Sequence, residues 1–389
     1  MEVIPISNAT DLQPLGAAKH ASLPPSHLTA LDGFRGFACL CVVAYHCYNY
    51  GPSIPWPTLT VGARKWTPTH FLAYGYMGVE MFFVLSGFCL AYPFFRHSSA
   101  GFDWKRYFLH RARRIYPAYW GALLLLSILA LIISHLHIPS LTNSNVLVMP
   151  SFGRSLLSII NPETYLNGSF WTLKVELRWY ILLPFLLILH RKIKSLGLVA
   201  VAVAVSLLYA ETLGQNPNSR MSTLLSSLPI FLPLFVGGIW VAQIKAANTP
   251  DRIEQFLIKS ARWGIVVALG LVALWAPEHT EEGIHYNRVV PGGLLAFFLL
   301  LLSLYDPVFR KLLTWRPLVS VGLFSYSLYL IHQPIIMLFS AVTRPLHWSG
   351  AIQFFFFQIA VFLFCIMFGF LFFQLAEKPF IRHTISTEK

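Results

Sequence analysis

Apolar residues fall along this chain in long blocks separated by short polar or basic stretches. Read by apolar length, the blocks are 34–50, 76–95, 115–136, 171–190, 195–213, 226–244, 260–276, 290–306, 318–342 and 351–375. Each approaches the ~20 residues that an α-helix needs to cross a hydrocarbon layer about 30 Å thick. A soluble core helix needs fewer. The pattern therefore predicts an all-α polytopic integral membrane protein with about ten transmembrane helices. Residues 144–160 form a weaker block that dips at most into the interface, because Pro150 and Pro162 oppose a further helix.

Charge placement tests that count. With the N-terminus in the cytosol, the inner segments hold 20 Lys and Arg, whereas the outer loops hold six: Arg64, Lys65, Arg154, Arg220, Arg288 and Arg344. Arg35, Lys174 and Arg178 sit in or at the ends of spans. Cationic loops stay on the cytosolic side, so the asymmetry supports the span order and predicts that both termini are cytoplasmic. Residues 1–30, rich in Ala, Ser and Pro, are expected to be a disordered cytosolic segment. Residues 31–380 form the membrane-embedded domain, and 381–389 a cytosolic tail. No secretory signal peptide is recognisable, and the first block reads as a signal anchor. The acceptor patterns Asn8-Ala9-Thr10 and Asn167-Gly168-Ser169 are short and commonly fortuitous.

Composition agrees with the pattern. The 389 residues are 56% hydrophobic and 12% charged, against about a quarter charged in soluble chains. The formal net charge of +13 would suggest nucleic acid on a soluble domain, but here it is topology signal, and no nucleic-acid partner is expected. The location is a multi-pass one, in the plasma or inner membrane or an endomembrane. Cys39, Cys41, Cys47, Cys89 and Cys365 all lie in apolar blocks without ligand-like spacing, so no metal site is expected.

Ionisable side chains inside hydrocarbon are costly, which makes them better markers of function than any apolar pattern. Arg35 and His46 lie eleven residues apart in the first span, close to one helix face and separated by about 16 Å along the axis. Glu80 stands within Gly78-Val79-Glu80-Met81-Phe82-Phe83-Val84-Leu85-Ser86-Gly87-Phe88. The fourth span opens with Trp171-Thr172-Leu173-Lys174-Val175-Glu176-Leu177-Arg178-Trp179-Tyr180, where Lys174 and Arg178 share a face and Glu176 is left to point into the bundle. His332 lies in Ser325-Tyr326-Ser327-Leu328-Tyr329-Leu330-Ile331-His332-Gln333-Pro334. The densest charge is the run from Arg106 to Pro117, which includes Arg111 and Arg114. It reads equally as a positive-inside stop signal or as a rim of guanidinium groups for phosphate oxygens.

These residues resemble the membrane-bound acyltransferase-3 family, which includes bacterial polysaccharide O-acetyltransferases and macrolide or terpenoid acyltransferases. The resemblance opens at Leu31-Asp32-Gly33-Phe34-Arg35-Gly36-Phe37-Ala38 with His46. It continues in order through Gly78–Phe88, Arg111–Pro117 with Tyr119-Trp120, Trp171–Tyr180, Ser325–Pro334 and Glu377-Lys378-Pro379. It implies a membrane O-acyltransferase that moves an acyl group, acetyl above all, from acetyl-CoA or another acyl-CoA to a hydroxyl of a sugar, lipid-linked or natural-product acceptor. By that analogy His46 is the essential histidine, Glu80 and Glu176 the carboxylate positions, Arg35 the arginine of the RG motif, and Arg111 and Arg114 the CoA end. Trp171, Tyr329 and His332 are substrate-contacting or structural. His46 would act as a general base or as a transient acyl carrier, and either carboxylate could orient it.

Two departures bear on the acceptor. The fourth-span motif commonly carries two adjacent acids, and here Glu176 is followed by Leu177 and Arg178. Many bacterial members continue into a hydrolase-like domain, whereas this sequence ends ten residues after Pro379, which favours a small lipophilic acceptor or a lipid-linked sugar. A proton-coupled secondary transporter, or a carrier of acyl groups across the membrane, is the competing reading. Against the transporter, the His46 face, the Arg111 cluster and the Trp171 motif have no repeat in the other half.

Overall fold

The computed structural model describes residues 28–51, 59–61, 64–96, 102–136, 166–212, 228–247, 249–275, 286–346 and 350–380. Residues 1–27, the block at 144–160, most of the outer loop 138–170, and the tail 381–389 lie outside these, as do the expectations attached to them.

The described chain is helical apart from a hairpin of two short antiparallel strands, β1 (Leu59–Val61) and β2 (Arg64–Trp66). The helices are α1 (Thr29–Tyr50), α2 (Gly78–Arg96), α3 (Trp104–Leu136), α4 (Phe170–Thr212), α5 (Leu228–Ala246), α6 (Arg252–Trp275) and α7 (Tyr286–Tyr305). They continue with α8 (Pro307–Leu313), α9 (Arg316–Leu323), α10 (Ser325–Thr343) and α11 (Gly350–Phe380). Seven helices among the described residues are long and apolar enough to cross a membrane, and eight if the bent pair α7 and α8 counts as one. An all-α polytopic membrane protein is the architecture these helices build.

Helix ends depart from the apolar blocks where polar chemistry intervenes. The basic run Arg106–Arg114 is itself helical, so α3 begins eleven residues before the apolar block and carries its cations as a rigid extension. The blocks 171–190 and 195–213 are joined in α4 with a break at Lys194, whose φ of 58° is in the left-handed region. A polar knot holds that break: His190 Nε2 lies 2.9 Å from both Ser195 Oγ and Gln243 Oε1, and Ser195 donates its hydroxyl hydrogen to Gln243. Asp306 ends α7, and its carboxylate accepts the backbone N–H groups of Val308 and Phe309 at 2.9 and 3.2 Å. That cap, with Pro307 at the first helical position, turns α8 by 98°. The block 318–342 is likewise divided, at Phe324, between α9 and α10.

The centre of the bundle is close packed. A Cβ on Gly87 of α2 would fall 1.9 Å from the carbonyl oxygen of Phe235 on α5, and one on Gly238 would fall 1.9 Å from that of Val84. The two backbones touch, as small residues allow where apolar lipid gives helices no hydrophobic drive to associate. α1 is held against α9 in the same way, Gly322 meeting the backbone of Asp32. α1, α2 and α10 line a common interior, to which they contribute Arg35, Phe82 and Tyr326 respectively.

Candidate active site

α1 is one unbroken helix, so Arg35 and His46 keep the spacing that their positions dictate. Arg35 Nη1 pairs with Asp32 Oδ1 at 3.0 Å, one turn back, and Nη2 lies 3.7 Å from Cys89 Sγ on α2. The guanidinium is thereby turned into the bundle.

There it enters a cavity of about 100 Å3. Arg111 and Arg114 of α3 stand on the same wall system, with Glu176 and Tyr180 of α4, Phe82 of α2, and Tyr326 and Tyr329 of α10. The Tyr180 hydroxyl donates to Glu176 Oε1 at 2.5 Å. Arg111 lies over the Tyr107 ring at 5.9 Å, and the Tyr326 hydroxyl donates to the Ile115 carbonyl at 3.2 Å, tying α10 to α3. Three guanidinium groups and one carboxylate thus share one small chamber. Arg114 also feels the charges of Glu176 and Glu377. Glu377, 3% exposed, accepts a hydrogen bond from Ser327 at 2.5 Å.

Sequence reasoning gave Glu377 no role. The signal was the Glu377-Lys378-Pro379 motif, which marked only where the resemblance ended.

Tyr329 borders the cavity and reaches beyond it. Its ring is 6.0 Å from that of Phe82, and its hydroxyl is 2.8 Å from Thr172 Oγ1 and 3.4 Å from the Ser169 carbonyl. Its own carbonyl lies 2.8 Å from His332 Nδ1. His332 Nε2 lies 3.3 Å from His46 Nδ1, with the two rings edge to face at 4.9 Å. His46 Nδ1 also meets the Val42 carbonyl at 2.9 Å. His332 is fully buried, while His46 is only part-buried and accessible. One tyrosine therefore separates a basic chamber from an imidazole pair.

Beyond His46 the surroundings are polar and aromatic. Tyr50 stacks on the imidazole at 6.0 Å and 15°, and its hydroxyl accepts from Gln333 Nε2 at 2.8 Å. Ser169 donates to Gln333 Oε1 at 2.6 Å. Asn167 is buried and its amide is engaged at both ends: Nδ2 donates to the Leu330 carbonyl at 2.7 Å, and Oδ1 accepts the Ser169 N–H at 2.9 Å. The Asn167-Gly168-Ser169 pattern is a turn that locks α4 to α10. Tyr45, edge to face with His46, extends the aromatic surface to Tyr76.

Of the residues singled out in the sequence, Arg35, Arg111, Arg114, Glu176 and Tyr329 meet around the cavity, and His46 meets His332 next to it. Glu80 lies elsewhere on α2, fully buried where Gly292 of α7 packs upon it. Trp171 packs into an aromatic cluster, its ring 6.2 Å from that of Phe83 and 5.7 Å from that of Phe231. Among the described residues there is no cluster of three or more His, Cys, Asp or Glu that could hold a metal ion.

Residues 28–373 match the family described as an acyltransferase domain. Among curated relatives, YrhL of Bacillus subtilis strain 168, provisionally named a peptidoglycan O-acetyltransferase, is 21% identical over 85% of this chain and 52% of its own. The O-acetyltransferase OatA of Staphylococcus aureus is 22% identical over 80% of this chain and 51% of its own. ORF330 of Acidianus two-tailed virus, provisionally named an acetyltransferase, is 25% identical over 81% and 85%. The chain thus spans about half the length of YrhL and OatA. No solved structure matches.

Proposed function

Because the chain belongs to the acyltransferase-3 family, multi-pass membrane enzymes that transfer groups other than aminoacyl groups, we propose that it carries an acyl group, most readily acetyl, from acyl-CoA to an acceptor hydroxyl. One observation carries the reading. The basic chamber of Arg35, Arg111 and Arg114 is joined through Tyr329 to the histidine pair containing His46.

Each part has a task in such a reaction. The phosphates of coenzyme A need several positive charges, and guanidinium groups match phosphate oxygens in pairs. Arg111 and Arg114 sit at the head of α3, on the side that the positive-inside pattern assigns to the cytosol. In the transfer, the acceptor oxygen attacks the thioester carbonyl while His46 takes the hydroxyl proton. The carbon–sulfur bond breaks and the CoA thiolate leaves. If His46 is instead the nucleophile, the same bonds exchange in two steps through an acyl-histidine. Glu176 and Glu80 contribute to the charge balance of the bundle interior.

The topology that accompanies this reading is ten crossings with both termini in the cytosol. It counts α1 and the two halves of α4 separately. A glycan hydroxyl is the first acceptor class to test, given that relatives are named for peptidoglycan O-acetylation. A lipid-linked sugar or terpenoid alcohol is the second.

The test is release of CoA thiol from acetyl-CoA by the purified protein in detergent, with N-acetylglucosamine, a muropeptide, and a terpenoid alcohol as acceptors. Acceptor-dependent release that disappears in His46→Ala is the expected result. Full turnover by that variant would remove His46 from the chemistry. Label retained on the protein without acceptor, and discharged by hydroxylamine, would select the acyl-histidine route over direct base catalysis.

A further inference from the structure

We propose that His332 is a positioning residue that, together with the Val42 carbonyl, holds His46 in the tautomer and orientation competent to take a proton. The inference rests on the reading of His46 as the proton acceptor and adds how that imidazole is held.

A peptide carbonyl only accepts, so the 2.8 Å contact of His332 Nδ1 with the Tyr329 carbonyl places a hydrogen on Nδ1. By the same rule the 2.9 Å contact with the Val42 carbonyl places a hydrogen on His46 Nδ1. His332 Nε2 then faces a donor at 3.3 Å, and it must present a lone pair. A doubly protonated His332 would set N–H against N–H. The consistent arrangement has His46 Nδ1–H shared between the Val42 carbonyl and His332 Nε2, a three-centre bond. The basic lone pair of His46 is then on Nε2. A histidine's active nitrogen is commonly selected by the bond that its other nitrogen makes, and the sequence suggested a carboxylate for that task. At Nδ1 the task is met by a backbone carbonyl and a second imidazole.

The arrangement also suits the transfer itself. As His46 Nε2 takes the acceptor proton, positive charge spreads to its Nδ1–H, and His332 Nε2 is already aligned to receive that hydrogen bond without a proton moving. His332 is fully buried and part of a helix packed from both sides, so its lone pair is preoriented. Tyr329 supplies the anchor, since its carbonyl sets the His332 tautomer while its ring borders the chamber.

The experiment uses the full chain in detergent. His332→Leu removes the acceptor, and His332→Gln places an amide oxygen near the position of Nε2. Two readouts are taken: kcat and KM for acetyl-CoA, and the rate at which diethyl pyrocarbonate, which attacks an unprotonated imidazole nitrogen, labels His46 by peptide mass spectrometry. His332→Leu is expected to lower kcat at least about tenfold with KM nearly unchanged, and to slow labelling of His46, while His332→Gln recovers most of both. Wild-type kcat and labelling in His332→Leu would overturn the proposal. So would equal losses in Leu and Gln, which would mark His332 as packing alone. Turnover that survives His46→Ala would instead sink the base reading, and the labelling rates would still decide whether His332 governs the His46 tautomer.

Discussion

Arg114 of α3 and Glu176 of α4 border the same small cavity, and Glu377 of α11 also acts electrostatically on Arg114. Arg111, one turn earlier on α3, borders the same cavity but rests on an aromatic ring. The two arginines should therefore respond differently to removal. Arg111→Ala is expected to raise KM for acetyl-CoA about tenfold or more, with thermal stability close to wild type. Arg114→Ala should weaken the donor site and also lower the melting temperature, because it takes a positive charge away from Glu377, a carboxylate that is itself buried. Donor titration and a melting curve on each variant check this. Identical behaviour of the two would show that Glu176 and Glu377 do not depend on Arg114.

Asn167 has the sequence signature of a glycan acceptor and the environment of a structural amide. Its two hydrogen bonds close the turn that leads into α4 and fasten it to the α10 backbone. Asn167→Gln should bring no loss of mass on a gel after expression in a glycosylating host. It should cost about 1–3 kcal/mol through the buried groups left unsatisfied, read as a lower melting temperature. A mobility shift in the wild-type protein that vanishes in the variant would contradict the buried placement.

Much of this was legible in the sequence, and the boundary between what was and was not is physical. Apolar length and charge asymmetry revealed the membrane class, and unbroken apolar helix in α1 fixed Arg35 relative to His46. Glu80 and His332, fully buried, and Arg35 and Glu176, part-buried, were conspicuous as violations of the apolar pattern. What could not be read was pairing. His46 and His332 are 286 residues apart, and nothing local in either segment shows that α1 and α10 bring their rings to 4.9 Å. The sequence pointed to a carboxylate for the imidazole because carboxylates were the visible buried partners. Apolar periodicity also does not register a break such as Lys194, whose cause is a polar knot that includes a residue from α5.

Ser327 and Glu377 join α10 to α11 next to the basic chamber. Ser327→Ala removes the donor to a carboxylate that is 3% exposed, at an expected cost of about 1.5–3 kcal/mol, the range for a hydrogen bond to a charged group. Glu377→Gln keeps an acceptor for Ser327 but removes the charge near Arg114, so it should melt nearer to wild type than Ser327→Ala while changing donor affinity more. Parallel melting curves and acetyl-CoA titrations separate the two effects. Equal donor affinity in all three proteins would confine the pair to helix packing.

The α2–α5 contact gives a prediction that is independent of chemistry. Gly238 approaches the Val84 carbonyl so closely that a methyl group has no space, and the obstruction is backbone, which cannot rotate aside. Gly238→Ala must push α5 away from α2, and the strain of overpacking a tight core is about 1–3 kcal/mol. α2 carries Phe82 and Cys89 on the chamber wall, so a shift there reaches the donor end before it reaches His46. The expected result is a lower melting temperature together with a raised KM for acetyl-CoA, and a smaller change in His46 labelling by diethyl pyrocarbonate. Gly270 of α6 provides the control: nothing lies within 4 Å of a Cβ placed there. Gly270→Ala should leave the donor KM unchanged and, by removing a glycine from a helix interior, hold stability at or slightly above wild type. A Gly238→Ala protein that melts with the Gly270→Ala control would mean that α2 and α5 are not in backbone contact.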